Sequence, residues 1–506
     1  MRNEFEYGYD NAGLYGACAT VNKAAGWLVC SLLCGAACGT PRVGGVAGVS
    51  PSPGVAWTAP PDRATPPDSA SRPAVPADLQ QRIQKLTLSE VVDIGLRNNP
   101  ATRLSWANAR AAAAAYGSER GAYFPTIDGE VTATRLKTVA SQGRSAVTQS
   151  VFNPSLSISY LLFDFGGRSG DVGAARNNLI AANYTHNATL QGVVLQIQSA
   201  YFQYVANRAL LDAQRTTERE ARTNLTAAQE RNRVGVATIA DVLQARTAAS
   251  QAALAVQATE GDLQTSRGAL ALSLGLPANL PYEVDSAAGQ VPVAVLADSV
   301  DTLITRAIRS RPDLAAAQAE FQASRAQVSV ARANRLPSLV LNGNGGRTYT
   351  SSLPNGGNNY SVSLGLRIPL FAGFSRLYDQ REAAALADAA AARADGLGRQ
   401  VIFEVFSSYH ALQTATRRVR TSEDLIASAR QSSEVALGRY RAGVGSVLDL
   451  LAAQSALADA RAQQVLARLE WNTSLARLAH DTGVLEAGGG SSLRLVPDSV
   501  SKTPPQ

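Results

Sequence analysis

The sequence predicts an internally duplicated α+β protomer: two long α-helical hairpins plus four antiparallel β-strands. Three observations carry that prediction. A phrase recurs, because Arg231 to Ala245 reads RNRVGVATIADVLQA and Arg439 to Ala453 reads RYRAGVGSVLDLLAA, with Gly235 and Gly443 208 residues apart. A proline pair recurs, since Pro100 and Pro312 are each followed 25 residues later by another, Pro125 and Pro337. Beyond the second proline of each pair the apolar period changes from helical to two. A repeat this long marks a duplicated fold rather than a solenoid of small units.

Composition narrows the class. The chain has 506 residues, with 45% hydrophobic but only 6% aromatic content, the bias of long helices packed through small side chains. The net charge of +7 is spread along the chain without a basic run, so nucleic acid is not an expected partner. All four cysteines, Cys18, Cys30, Cys34 and Cys38, precede residue 39, which leaves the rest of the chain without disulfides or thiolate metal sites.

Residues 1–38 read as a signal region. Lys23, the apolar run Ala24–Leu33 and the small residues Gly35, Ala36 and Ala37 follow the charge, apolar and small-residue order of a secretory signal. The run is short for a membrane span. Residues 1–20 lack the pattern, and we read the start as upstream-extended, with the true one near Val21. Gly35-Ala36-Ala37-Cys38 approaches a lipoprotein cleavage box without its usual Leu, so either Cys38 is lipidated or cleavage falls nearby. Residues 39–80 form a Pro- and Gly-rich arm.

The first repeat is expected over 81–277. Thr87 and Glu90 form a capping box for a helix that ends at Arg97-Asn-Asn-Pro100, and a second helix follows to about Ala122. A β-hairpin spans 126–163: Leu156, Ile158, Tyr160 and Leu162 alternate with Ser155, Ser157, Ser159 and Leu161, giving one apolar face. Leu162-Phe-Asp-Phe-Gly-Gly-Arg168 turns strand into helix, and a helix of about 100 Å runs to Arg233. The tip lies near 235 and the return helix ends at Gly275. A linker, 278–300, leads to the second repeat, 301–483. Its hairpin is expected over 338–371, with a turn at 351–358 and Tyr360, Val362, Leu364, Leu366, Ile368 and Leu370 on one face. Leu370-Phe-Ala-Gly-Phe-Ser-Arg376 matches the earlier junction, Tyr409 matches Tyr201, and the second tip lies near 443. Residues 484–506 are expected to be a flexible tail.

Four strands with one apolar face leave two unpaired edges, which hydrocarbon does not tolerate. Closure therefore needs more than one chain, with eight strands from two copies or twelve from three; the long helices favour the larger count as continuations of a hollow cylinder. The soluble alternatives are a sandwich edge and a fibrous stalk.

The openings LTLSEVVDIGLRNNP, the LFDFGGR and LFAGFSR phrases and the two tip phrases resemble the TolC-like outer membrane factor family, in the right order and twice, over about Leu86 to Gly483. The resemblance implies a homotrimer with a twelve-stranded barrel in outer-membrane lipid and a twelve-helix periplasmic tunnel. It implies an export duct whose tip docks on a periplasmic adaptor and an inner-membrane pump, RND-type or ABC-type, with small-molecule efflux as the main reading and type I protein secretion as the other.

No enzyme is expected, and no cofactor or metal. His186, His410 and His480 are isolated, and no phosphate loop or nucleophile elbow is present. The informative polar residues sit at the tips. Asp241 and Asp449, six residues past the tip glycines, either form rings of like charge that gate a pore or complement a helix start. The resemblance implies that Tyr440 bonds Asp241 on the neighbouring outer hairpin and holds the tip closed. It also implies Gly235, Val236, Gly443 and Val444 as adaptor contacts, although glycines there also serve simply to close a helix. Departures are Gly445, Ala452 and Ala240, where the family carries arginine, aspartate and threonine; Arg441 is the candidate replacement for the arginine.

Overall fold

The computed structural model describes residues 86–137, 148–284, 294–351, 353–485, 493 and 495–497. The signal region with Cys38, the arm and the first hairpin turn lie outside them. Repeat one comprises α1 (Leu88–Asn98), α2 (Pro100–Gly121), β1 (Thr126–Lys137), β2 (Thr148–Phe163), α3 (Gly167–Arg233) and α4 (Ile239–Ser273). A short β3 (Ala294–Leu296) precedes repeat two: α5 (Val300–Ser310), α6 (Pro312–Ala333), β4 (Ser338–Thr350), β5 (Leu353–Arg367), α7 (Ser375–Arg441) and α8 (Val447–Asp481), then β6 (Leu495–Pro497).

Local chemistry sets the boundaries. Thr87 caps α1 by accepting from the Glu90 amide while the Glu90 carboxylate accepts from the Thr87 amide, the reciprocal capping box. Pro100 ends α1 and begins α2, with Asn99 as its cap. α3 and α7 have 67 residues each, about 100 Å at 1.5 Å per residue. Their entry from the sheet needs left-handed backbone at Phe165–Gly166 and Gly373–Phe374.

The strands form one antiparallel sheet in the order β1-β2-β4-β5, so the two hairpins join through β2 and β4. The register separates chemistry by face. Ile127, Ile158, Gly343 and Val362 share a rung, as do Gly129, Leu156, Gly345 and Tyr360. One residue over, Asp128, Ser157, Asn344 and Ser361 share the next rung on the opposite face. The apolar side chains are bare within the chain; Tyr360 is 88% exposed.

The core lies where α1, α5 and the ends of α4 and α8 meet the middle of α3 and α7. Ile197, Tyr201, Leu274, Trp471 and Leu478 are fully or nearly fully buried there. α1 packs on α3 through Gly95, where a Cβ would collide with the Ile197 side chain. Above this core α3 packs on α2 and α6; below it α3 packs on α4 and α8, while α7 pairs with α8.

Two expectations are corrected. The 351–358 segment is largely strand: β5 begins at Leu353, because the ladder offered by β4 overrides the weak strand propensity of Asn and Gly. It ends at Arg367, so Ile368 and Leu370 lie beyond it, where Pro369 has no amide for the ladder. The tail expected to be flexible places Leu485 and Leu493 in the core and pairs β6 with β3. Leu495-Val-Pro497 finds an edge in the linker.

Arg311, 7% exposed, joins α6 to α7 by binding both Asp313 and Glu404. Burial alone would raise the Asp313 pKa, but the hydrogen bonds and charge of Arg311 outweigh it and hold it below the ordinary value of 3.8. This stabilisation is full above the unfolded pKa and is lost as pH falls through the lower folded one. Arg311→Ala leaves two carboxylates without their cation and is expected to cost about 3–5 kcal/mol. Thermal melts should show that deficit at neutral pH and the two proteins converging below about pH 4; equal melting temperatures at pH 7 would refute the role.

Candidate functional site

The two tips are built alike. At each, the long helix closes through a glycine at φ +80°, Gly235 and Gly443. The amides of Val236 and Val444 bond back to the carbonyls of Arg231 and Arg439, as in a Schellman closure. Each return helix then opens on a capping box: the Thr238 amide donates to Asp241 Oδ2 at 2.9 Å and the Asp241 amide to Thr238 Oγ1 at 3.2 Å. Ser446 and Asp449 repeat the arrangement at 3.4 and 3.1 Å. The aspartates, six residues past the tip glycines, therefore stand in the first turn of the return helices, and both carboxylates complement the positive helix end.

The tips differ in what surrounds them. Tyr440 is buried with Val447 and Leu450 in a small apolar cluster, whereas Val234, Val236, Ile239 and Leu243 of the outer tip are exposed. Val444 and Arg441 are exposed as well. The Tyr440 hydroxyl is buried without a hydrogen-bond partner in its own chain, and Asp241 does not meet it there. Arg231 lies on the Tyr440 ring, 4.5 Å from its centroid. Its guanidinium donates to the carbonyls of Tyr440 at 2.9 Å and Arg441 at 3.3 Å.

Arg231 ends a ladder of polar ties between the hairpins that sequence reasoning missed. Asn224 donates to Gln454 at 2.6 Å, and Arg461 forks onto Glu220 with both bonds at 3.0 Å. Residues 220, 224 and 231 recur at helical spacing on one face of α3. The signal was present, since Arg231 opens the repeated phrase, yet its counterpart Arg439 makes no such tie.

At the other end of the long helices, the polar sheet face carries Asp128 and Glu130 among Ser, Thr and Asn. Ser159 donates to Asn342 at 3.0 Å. At the helix-proximal end of the sheet, the repeated LFDF and LFAGF phrases form exposed aromatic pairs, Phe163–Phe165 at 4.7 Å and Phe371–Phe374 at 5.5 Å between centroids. Phe152 and Tyr349 pair at 6.0 Å near the far end. From Leu162 to Phe152 the strand climbs roughly 34 Å. At a tilt of about 40° this is an apolar band about 25 Å tall between aromatic girdles, the dimensions of a membrane barrel.

The histidines pack: His186 with Ser105 at 2.8 Å, His480 with Asp481 at 3.0 Å, and His410 against Phe406 and Tyr409. Among the described residues no group of three or more His, Cys, Asp or Glu could hold a metal.

A lipid-facing, polar-backed sheet with two free edges, continued by four helices at each level, is the protomer of an oligomeric outer-membrane channel. Residues 91–276 and 303–484 match the family described as outer membrane efflux protein, and the chain belongs to that family. It is 32% identical over 434 residues to Protein CyaE of Bordetella pertussis, covering 85% of this chain and 87% of that protein. It is 26% identical over 426 residues to the probable efflux pump outer membrane protein TtgC of Pseudomonas putida, covering 81% and 85%. A crystal structure of a membrane protein from Pseudomonas aeruginosa superposes with a TM-score of 0.72 at 25% identity, over 78% of this chain and 93% of that one. Channels of this family work as trimers with a periplasmic adaptor and an inner-membrane pump, so three copies supply twelve strands and twelve helices.

Arg231→Ala removes two charge-assisted bonds and a cation–π contact, together worth about 2 kcal/mol at this half-exposed position. Amide exchange of residues 231–241 and 439–449 is expected to accelerate on the order of tenfold, with Arg231→Lys intermediate because it lacks the planar fork. Unchanged exchange would show that Arg231 does not tie the tips.

Proposed function

We propose that this channel is the exit duct of a tripartite small-molecule efflux system, and that it opens at the tips of α3–α4 and α7–α8. The observation that carries the reading is the family match across both repeats, joined to the tip geometry. The bore is lined by small polar side chains and recognises little, so cargo is selected by the pump. An RND-type pump fits small-molecule efflux; an ABC-type pump fits protein export.

The buried Tyr440 hydroxyl needs an acceptor, and Asp241 of an adjacent outer hairpin has the chemistry to supply it. In that arrangement Asp241 caps α4 with one oxygen and accepts from Tyr440 with the other. Asp449, exposed and repeated in three copies, forms an acidic ring that favours cations. Arg441 lies where it can approach that ring. Gly235, Val236, Gly443 and Val444, whose turns are exposed, form the face on which an adaptor docks. Lipidation of Cys38 would add a membrane anchor.

Tyr440→Phe with Asp241→Ala is expected to raise single-channel conductance in planar bilayers severalfold. Thr238→Ala, which removes only the cap, should leave it near wild type; unchanged conductance in the double variant would remove the gate assignment. Deletion of the gene should sensitise cells to drugs or aromatic acids while leaving the secreted proteins unchanged. Loss of one large secreted protein at unchanged tolerance would make this a protein-secretion outlet instead.

A further inference from the structure

The charges of the sheet are segregated by face and by height. By register with Ile127, Val131, Leu156 and Ile158, residues Arg135, Lys137 and Arg347 project on the lipid-facing side, and all three are exposed. No acidic residue shares that face among the described strand residues. Asp128 and Glu130 stand on the polar face, as does Arg367 at the helix-proximal end. The three outward cations cluster at the end remote from the helices, which is the cell exterior in a channel whose helices cross the periplasm.

Their height is informative. Arg347 lies level with Val131 and Pro154, two residues inside the Phe152–Tyr349 girdle, while Arg135 and Lys137 lie two and four residues beyond it. Arg347 is held in place by the Tyr349 ring, 5.4 Å from its centroid, and by donation to the Asn355 carbonyl at 2.7 Å. Bare cations at this boundary are unfavourable against hydrocarbon and favourable against anionic headgroups. In the sheet order β1-β2-β4-β5, β1 and β4 are alternate strands. A closed trimer therefore presents outward cations on every second strand, spaced on the order of 10 Å apart.

We infer that Arg135, Lys137 and Arg347 form a ring of binding sites for the phosphate groups of the outer-leaflet glycolipid. The cations pair with the phosphates, while the acyl chains lie below against Leu156, Ile158, Tyr360 and Val362. The two glycines of β4, Gly343 and Gly345, leave that face low between β2 and β5. This surface is distinct from the tip gate and is independent of which cargo the duct carries.

The test uses the purified full-length trimer in mixed micelles with lipid A, either fully phosphorylated or enzymatically dephosphorylated, and counts retained lipids by native mass spectrometry. Wild type is expected to retain the phosphorylated form at least tenfold better. The triple variant Arg135→Gln, Lys137→Gln, Arg347→Gln should lose that preference, by about fivefold for each cation removed. Arg367→Gln, on the polar face, should keep it. Equal retention of both lipid forms by wild type overturns the inference, and that comparison decides the matter even if the triple variant fails to assemble. Retention by the variant equal to wild type also overturns it, as does displacement of the lipid by millimolar inorganic phosphate, which would make this a site for free anions.

Discussion

The edges of a four-stranded sheet constrain everything else in this molecule. β1 and β5 each leave a row of backbone N–H and C=O groups unpaired while one side of the sheet is apolar. In hydrocarbon each such group costs several kcal/mol, so edges of 12 and 15 residues would cost tens of kcal/mol in total. The chain cannot close this sheet alone. Because β1 and β5 run in opposite directions, the β5 of one copy meets the β1 of the next antiparallel, and the ring closes with every group paired. Closure with other copies is thus a condition of folding in the membrane.

The long helices inherit that symmetry. Every strand hairpin leads through a left-handed junction into a 67-residue helix, and the returning helices stop halfway at the core around Tyr201 and Trp471. Four helices therefore stand at each level, and twelve surround the bore in the trimer. The duplication gives the two hairpins the same closure and the same capping box, but not the same packing. The inner tip encloses Tyr440 in an apolar cluster; the outer tip leaves its valines and Ile239 bare and sends Arg231 across.

Much of this was legible in the sequence because it rests on local rules. Period two located the strand faces, the Thr87–Glu90 capping box located the first helix start, and the two matched phrases located the tips. What escaped depended on partners distant in sequence. The Asn- and Gly-rich 351–358 segment reads as a turn until β4 offers it a ladder. Leu495 to Pro497 reads as tail until β3 offers an edge. Asp241 and Asp449 read either as ring candidates or as helix-start aspartates from their spacing past the tip glycines, and Thr238 and Ser446 complete the caps. Arg231 reads as one more helix-end cation until the Tyr440 ring lies beneath it. The LFDF and LFAGF phrases read as bends and prove to be an aromatic girdle as well.

The most direct test of this account is intermolecular cross-linking of the two free edges. With the native cysteines, all at or before residue 38, replaced, Thr132→Cys on β1 would be combined in turn with Asn359→Cys, Ser361→Cys and Ser363→Cys on β5, and the membranes oxidised. The account predicts that at least one combination gives a covalent ladder that stops at three copies. Monomers in every combination, or a ladder that runs past three, would contradict it.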